Sequence, residues 1–276
     1  MSAPADDAAS FMALTEKISR ERGFGTASYK DGCLRRRIAV RMRANRVDDY
    51  TAYSQLLDRD PLEFDRLLDA LTINVTKLFR NNETWDAVAA TVLPELWAGE
   101  TTRIQSWVAG CASGEEAYTV AALWHRHASA HPTAGAPGRV RITASDIDRR
   151  SLIAAALGAF GPDALTETPD SMRTRYFAHV DADGRAHAAQ ELRDLIRFER
   201  RDLLSEPPPP GAIHLITCRN VIIYFDRPSQ EALMERFHHA LDVGGFLVLG
   251  KVETLLGPSR LLFDVVDQRN RIFRRA

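Results

Sequence analysis

The stretch Ile104-Gln105-Ser106-Trp107-Val108-Ala109-Gly110-Cys111-Ala112-Ser113-Gly114-Glu115-Glu116 decides the fold. Ile104 to Val108 is a short, largely apolar run with β propensity. A turn with glycines at Gly110 and Gly114 follows, and helical periodicity sets in at Glu115 and lasts to Ala130. A buried strand that turns through glycine straight into a helix is the opening unit of an open α/β sheet, whose ligands sit outside the carboxyl ends of the strands. The turn does not spell G-x-G-x-x-G, which disfavours a pyrophosphate-bearing cofactor. Glu115 and Glu116 argue the same way, because two acids at a helix N-terminus repel the phosphate that the helix dipole otherwise attracts. They suit a cationic group such as a sulfonium or an α-amino group, or they simply complement the dipole.

Working outward, Val140 to Ala144, Ile196 to Phe198, Ile213 to Thr217 and Phe246 to Leu249 read as further buried strands. Helices are expected over Arg149 to Leu157 and Pro228 to Leu241. Strands alternating with helices imply a doubly wound, mostly parallel sheet. Leu262 to Val266 and Arg271 to Phe273 flank a polar turn and predict an antiparallel C-terminal hairpin on the sheet edge. The span of about residues 160–195 breaks the alternation, and its Asp181-Ala182-Asp183-Gly184 turn predicts an inserted hairpin or small subdomain. Pro207 to Pro210 form a stiff connector.

Residues 1–72 read as a small all-helical domain. Phe11, Leu14 and Ile18 mark one apolar face; Leu34, Ile38, Val40 and Met42 another; Tyr50, Tyr53, Leu56 and Leu57 a third. Asp60-Pro61-Leu62-Glu63 sets an N-cap acid, a first-turn proline and a capping-box glutamate in order. Residues 73–99 are expected to be a linker and lid helix, and residues 100–276 the α/β domain.

With 276 residues, 45% hydrophobic and 26% charged, the chain can bury the cores of one large domain and one small one. Its three cysteines, Cys33, Cys111 and Cys218, form no C-x-x-C pair, so neither a zinc site nor a disulfide framework is expected, and a reducing cytoplasm fits. The opening MSAPADDAAS lacks the basic and apolar regions of a signal peptide, and no apolar run approaches the roughly 18 residues of a spanning helix. Secretion and membrane insertion are therefore not expected. The net charge of −1 conceals a local asymmetry: Arg35, Arg36, Arg37, Arg41, Arg43 and Arg46 have no acid among them. No aromatic platform accompanies them, so nucleic-acid binding is not expected.

At the other strand ends, Ser145-Asp146-Ile147-Asp148 offers Asp146 to both hydroxyls of a ribose and Asp148 as N-cap of the next helix. Asp202-Leu203 follows the third strand, where a carboxylate and an apolar cover can meet an adenine; a plain turn acid is the other account. Arg219-Asn220 follows the fourth strand, where both side chains can hold a ligand by directed hydrogen bonds. Tyr224 and Phe225 come next, with Asp226 and Pro228 starting a helix. Thr72 to Arg80 is too polar for core and too apolar for a disordered joint, as a lid over a ligand would be.

INVTKLFRNNETW, SWVAGCASGEEAY, ASDID, RDLL and CRNVIIYFD, in this order, resemble the chemotaxis receptor glutamate methyltransferase family, and the resemblance covers nearly the whole chain. It implies a class I S-adenosylmethionine-dependent methyltransferase fold with a helical N-terminal domain and an inserted antiparallel β-subdomain. Implied with it are S-adenosylmethionine as donor and S-adenosylhomocysteine as product. Carried over by position, Asn74, Thr76 and Arg80 lie over the cofactor, Gly110, Glu115 and Glu116 belong to its glycine loop, and Asp146 takes the ribose. Asp202 and Leu203 flank the adenine, and Arg219 and Asn220 complete the set. Arg80 and Tyr224 resemble the residues nearest the transferred methyl group. The implied partner is the cytoplasmic helical bundle of transmembrane chemoreceptors, faced by the basic helix from Arg35 to Arg46; a monomer is expected. The compact Asp183-Gly184 turn lacks the glycine-rich loop with which some members grip a receptor tail, so independence from that tether is expected. A methyltransferase for another acceptor and a non-catalytic donor-binding signalling module are the competing readings.

Overall fold

A computed structural model describes residues 4–72, 76–99, 101–132 and 138–276. The chain divides into two compact units, residues 1–73 with 224–229, and residues 74–223 with 230–276.

In the first unit, α1 (Pro4–Arg22), α2 (Asp31–Ala44), α3 (Tyr50–Arg59) and α4 (Pro61–Leu71) bury Leu14, Ile18, Ile38, Tyr53 and Leu67 completely. The start of α4 follows from its sequence: Asp60 accepts from the N–H groups of Leu62 and Glu63, and Pro61 occupies the first turn. Glu63 does not close a capping box. It is wholly buried and accepts from the Arg41 guanidinium at 3.0 Å and the Tyr53 hydroxyl at 2.7 Å. Val40, expected on an apolar face, is exposed, because Leu34, Ile38 and Met42 already define the buried side of α2.

The second unit opens with α5 (Asn82–Ala87), a π-helical turn (Val88–Val92) and α6 (Leu93–Ala98). This stretch, expected as linker and lid helix, places Trp85, Val88, Val92, Leu93 and Trp97 in the hydrophobic core. There follow β1 (Ile104–Ala109), α7 (Glu115–Ala130), β2 (Val140–Asp146), α8 (Arg149–Leu157), β3 (Ala159–Phe160), α9 (Asp170–Tyr176), β4 (His179–Val180), β5 (Ala186–His187) and α10 (Gln190–Arg193). The chain ends with β6 (Ile196–Arg200), β7 (Ile213–Cys218), α11 (Arg227–Ala240), β8 (Leu241–Leu249), β9 (Phe263–Asp267) and β10 (Ile272–Arg275).

Among the described residues seven strands form one sheet, ordered β6-β2-β1-β7-β8-β10-β9. The first five neighbours run parallel, and β10 and β9 close the edge as the antiparallel hairpin foreseen in the sequence. All six residues of β7 are buried, which explains why it reads as a nearly continuous apolar run instead of an alternating one. From β1 the chain steps outward to β2 and β6, then returns to β7 on the other side. The connections after β1 and β7 therefore lead toward opposite edges of the sheet, the switch point at whose carboxyl ends such sheets bind ligands. The insertion is a three-stranded antiparallel sheet, β3-β5-β4, whose hairpin turns at Asp181 to Arg185. The helix expected to reach Leu241 stops at Ala240, and β8 begins there; Gly244, at φ +77°, and a register shift against β7 let this strand start before Phe246. Among the described residues no helix is long and apolar enough to cross a membrane.

Candidate active site

The glycine turn after β1 is docked onto the end of β2. The N–H groups of Gly110 and Cys111 both donate to the Ser145 carbonyl, at 2.8 and 2.9 Å. That of Ala112 donates to the Asp146 carboxylate at 2.8 Å. Asp146 also accepts from the Asp148 N–H at 2.9 Å, so one buried carboxylate ties two loops and keeps lone pairs for a further donor. Burial raises its pKa above the ordinary carboxylate value, against the pull of the Asp148 and Ala112 N–H groups. Asp148 caps α8 through the Arg150 N–H. Gly110 sits at φ +79°, and a Cβ there would lie 2.5 Å from Val221 Cγ2, so the loops after β1 and β7 meet without room for a side chain.

The two acids after the turn part company. Glu115 folds back to accept from the Ser113 hydroxyl and is buried. Glu116 faces Arg219, whose Nη1 lies 3.4 Å from its Oε2; these side chains are only 13% and 1% exposed. Burial raises the pKa of Glu116 above the usual carboxylate value, with Arg219 and, more weakly, Arg80 pulling it down. Arg219 also donates from Nη2 to the Arg80 carbonyl at 2.8 Å and to Asn81 Oδ1 at 3.1 Å. Its guanidinium stands 4.6 Å from the centre of the Trp85 ring. Its Nε is buried without a hydrogen-bond partner among the described residues.

Arg80 is carried on a constrained segment. Phe79 and Asn81 on either side adopt left-handed backbone, at φ +56° and +60°, which non-glycine residues enter at a cost. Surrounding bonds hold them there: the Leu78 N–H to Ala164, the Phe79 N–H to Thr119 Oγ1, the Asn81 N–H to Glu167, and the Trp85 indole to the Arg80 carbonyl.

Glu116, Arg219, Arg80 and the glycine turn thus come together, with Asp146 bonded to the same turn. Thr76 is half-buried upstream, and Asn74 lies outside the described residues. Asp202 is engaged locally, accepting from the Leu204 N–H at 2.9 Å and the Ser205 hydroxyl at 2.7 Å, as a turn acid does; Leu203 beside it is buried. Asn220 adopts φ +61°, and its N–H donates to Glu253. Tyr224 groups with the helical unit, where its carbonyl accepts from the Lys30 N–H at 3.0 Å and its ring lies under the Arg37 guanidinium.

The basic helix is not uniformly available. Arg41 is bound to buried Glu63, Arg37 donates to the Ala70 carbonyl, and Arg35 pairs with Asp7 over the Phe11 ring. Arg36, Arg43 and Arg46 are exposed. Two histidines are buried: His125 bonds the Tyr176 hydroxyl, and His214 accepts from the Gln105 N–H.

Sequence reasoning missed Asn81, Trp85 and Glu253. Asn81 and Trp85 lie just after Arg80, but nothing in their spacing announces that they contact a strand-end arginine more than a hundred residues away. Glu253 stands in the mixed stretch Gly250-Lys251-Val252-Glu253-Thr254 after β8, and only its burial betrays it. Among the described residues no group of three or more His, Cys, Asp or Glu side chains is placed to hold a metal ion.

Two family models match the chain: "CheR methyltransferase, all-alpha domain" over residues 9–72 and "CheR methyltransferase, SAM binding domain" over residues 74–272. The chain is 30% identical, over 90% of its length and 91% of the other, to the "Chemotaxis protein methyltransferase" of Listeria monocytogenes. It is 32% identical, over 92% of its length and 90% of the other, to "Chemotaxis protein methyltransferase 2" of Pseudomonas aeruginosa. It is also 35% identical over 95% of its length to an uncharacterized 104.1 kDa protein of Rhodobacter capsulatus, of which it spans only 27%.

Proposed function

The chain belongs to the CheR methyltransferase family, and from that premise we propose that it transfers the methyl group of S-adenosylmethionine to glutamate side chains of chemoreceptors. The observation that carries this reading is the node of Glu116, Arg219 and the Arg80 segment at the carboxyl ends of β1 and β7. Its donor set fits the cofactor: a buried acid at Glu116 suits a cationic group, and Asp146 has lone pairs left for ribose hydroxyls. When bound, S-adenosylmethionine supplies an electrophilic methyl group on a sulfonium.

The rest falls to the protein. A glutamate with an ordinary pKa of about 4.3 is already ionised at neutral pH, so no general base is required. What remains is to strip water from the acceptor carboxylate and to align it. Arg80 takes that second task, since a guanidinium can dock a carboxylate by two parallel bonds. Arg219 acts indirectly, fixing the backbone that carries Arg80. Tyr224 keeps the role that the resemblance assigns to it. Arg36 and Arg43 on α2, with Arg46 two residues past its end, form the exposed part of the basic segment and steer an acidic receptor bundle. The protein works in the cytoplasm as a monomer and without a receptor-tail tether.

Incubation with labelled donor and receptor-containing membranes tests the reaction. Mild alkali should release the label as methanol; a label stable to alkali would mean N-methylation and refute the ester reading. Arg80→Ala and Tyr224→Phe, each tested alone, should lower receptor methylation, and unchanged rates would refute these assignments. A peptide copied from the cognate receptor tail should bind weakly if at all, and micromolar affinity would rule out tether independence.

A further inference from the structure

Beyond the donor node, one buried carboxylate has no part in the chemistry described so far. Glu253 is 2% exposed and lies in the loop after β8. Its Oε2 accepts from the N–H groups of Gly250 at 2.7 Å and Asn220 at 2.8 Å, and its Oε1 from those of Val221 at 2.9 Å and Ile222 at 3.0 Å. Four backbone donors converge on this side chain, three of them from the turn that follows β7. That turn begins with Arg219 and includes Asn220 in left-handed backbone. It would otherwise leave successive N–H groups buried and unpaired, which is costly.

From this geometry we infer that Glu253 is a positioning residue for the donor site, setting the conformation of the Arg219–Ile222 turn so that Arg219 reaches Glu116 and the Arg80 carbonyl. Three independent features support it. Gly250 is shaped to admit the carboxylate, since a Cβ there would lie 2.5 Å from Glu253 Oε2 and 2.9 Å from the Asn220 N. The Cys218–Leu249 pairing places the ends of β7 and β8 side by side, so an acid just past β8 is within reach of the turn just past β7. Val221, held by Glu253 at its N–H, is the residue whose side chain presses on Gly110 of the first glycine turn. One carboxylate thereby sets the mutual fit of both ligand-facing turns. Burial raises the pKa of Glu253 above the usual carboxylate value, while the four N–H groups favour its ionised form.

An amide cannot replace it. Gln at position 253 would keep one acceptor oxygen and turn an NH2 group toward two N–H donors. The inference rests on the reading that S-adenosylmethionine binds at this node, so the test measures binding without requiring a receptor. Affinity for S-adenosylhomocysteine is measured by titration calorimetry on the full chain for the wild type, Glu253→Gln, Gly250→Ala and a core control, Ile272→Val. Circular dichroism sets a temperature at which each is folded. Glu253→Gln and Gly250→Ala should bind roughly tenfold or more weakly, as expected for buried donors left unpaired. Ile272→Val, destabilised in a strand that does not contact the turn, should bind as the wild type does. Gly250→Ala retains the charge and so reports on the cradle even if Glu253→Gln fails to fold. Affinity within twofold of wild type in either folded variant would overturn the inference and leave Glu253 a purely structural residue. Absence of binding by the wild type would overturn the donor reading and this inference together.

Discussion

Replacing Arg219 by Met removes the cation from the donor node while keeping much of its apolar bulk. The side chain is almost wholly buried and makes two directed bonds to the Arg80 segment, at 2.8 and 3.1 Å, besides its contact with Glu116 at 3.4 Å. Breaking a buried pair by removing one partner costs about 3–5 kcal/mol, because the other charge stays behind uncompensated. The Trp85 indole still holds the Arg80 carbonyl at 3.0 Å, so the segment is loosened, not released. A stability loss near the lower figure, about 3 kcal/mol, is therefore expected, a fall in Tm of about 6–12 °C for a unit of this size. If the two bonds to the Arg80 segment are worth about 1.5 kcal/mol each in aligning the acceptor, kcat/KM falls on the order of 100-fold. The pH dependence carries the decisive sign. Glu116 already titrates above the ordinary carboxylate range through burial, and loss of Arg219 pushes it further up. A protonated Glu116 needs no cation, so the stability deficit of Arg219→Met should shrink as pH falls toward about 5 and widen toward about 7.5. Thermal melts at the two pH values, with steady-state methylation at the higher one, measure both effects. Arg219→Lys should fall between, since a point charge cannot reproduce the fork. A deficit that does not change with pH, or a kcat/KM within threefold of wild type, would refute the reasoning.

Four other outcomes are expected. Arg41→Ala strands the fully buried Glu63 carboxylate and should destabilise the helical unit by about 3–5 kcal/mol, whereas Tyr53→Phe should cost about 1.5–3 kcal/mol; urea titration followed by circular dichroism separates them. Burial alone would raise the pKa of Glu63, but Arg41 and Tyr53 prevail and hold it below the usual value. Its contribution is present above the ordinary carboxylate pKa and is lost as pH falls through the lowered one, so acid should melt the wild-type helical unit and affect Glu63→Gln less. Gly110→Ala forces a Cβ into Val221 at a left-handed position and should lower Tm and donor-product affinity together, as fluorimetry and calorimetry would show; unchanged affinity would mean that the turn does not contact the donor. Arg36→Glu with Arg43→Glu, both on the exposed part of the basic helix, should slow receptor methylation and flatten its salt dependence while leaving donor-product affinity unchanged; an unaltered salt dependence would remove this helix from the receptor surface.

The alternation of apolar strands with helices, the glycine turn at Gly110 to Gly114, the Asp60-Pro61 start of α4 and the C-terminal hairpin were all legible in the chain itself. Each rests on near neighbours: a period of two or of 3.6 residues, a cap, or a turn residue whose backbone freedom is its own. The positions of Asp146 and Arg219 at strand ends follow from the same local logic. Local pattern cannot state which distant groups share a buried charge. Glu63 looks like a capping-box acid until α2 brings Arg41 against it, and three of the six arginines of the basic segment turn out to hold their own domain together. Residues 73–99 read as a linker and lid helix, and only the packing of Trp85, Val88, Val92, Leu93 and Trp97 reveals that this helical stretch belongs to the core. Glu253 is one acid in a mixed loop until the β7–β8 pairing places four N–H groups around it. Burying an ion or a peptide N–H is favourable only when partners converge from several directions, and that convergence belongs to the folded chain, not to any window of its sequence.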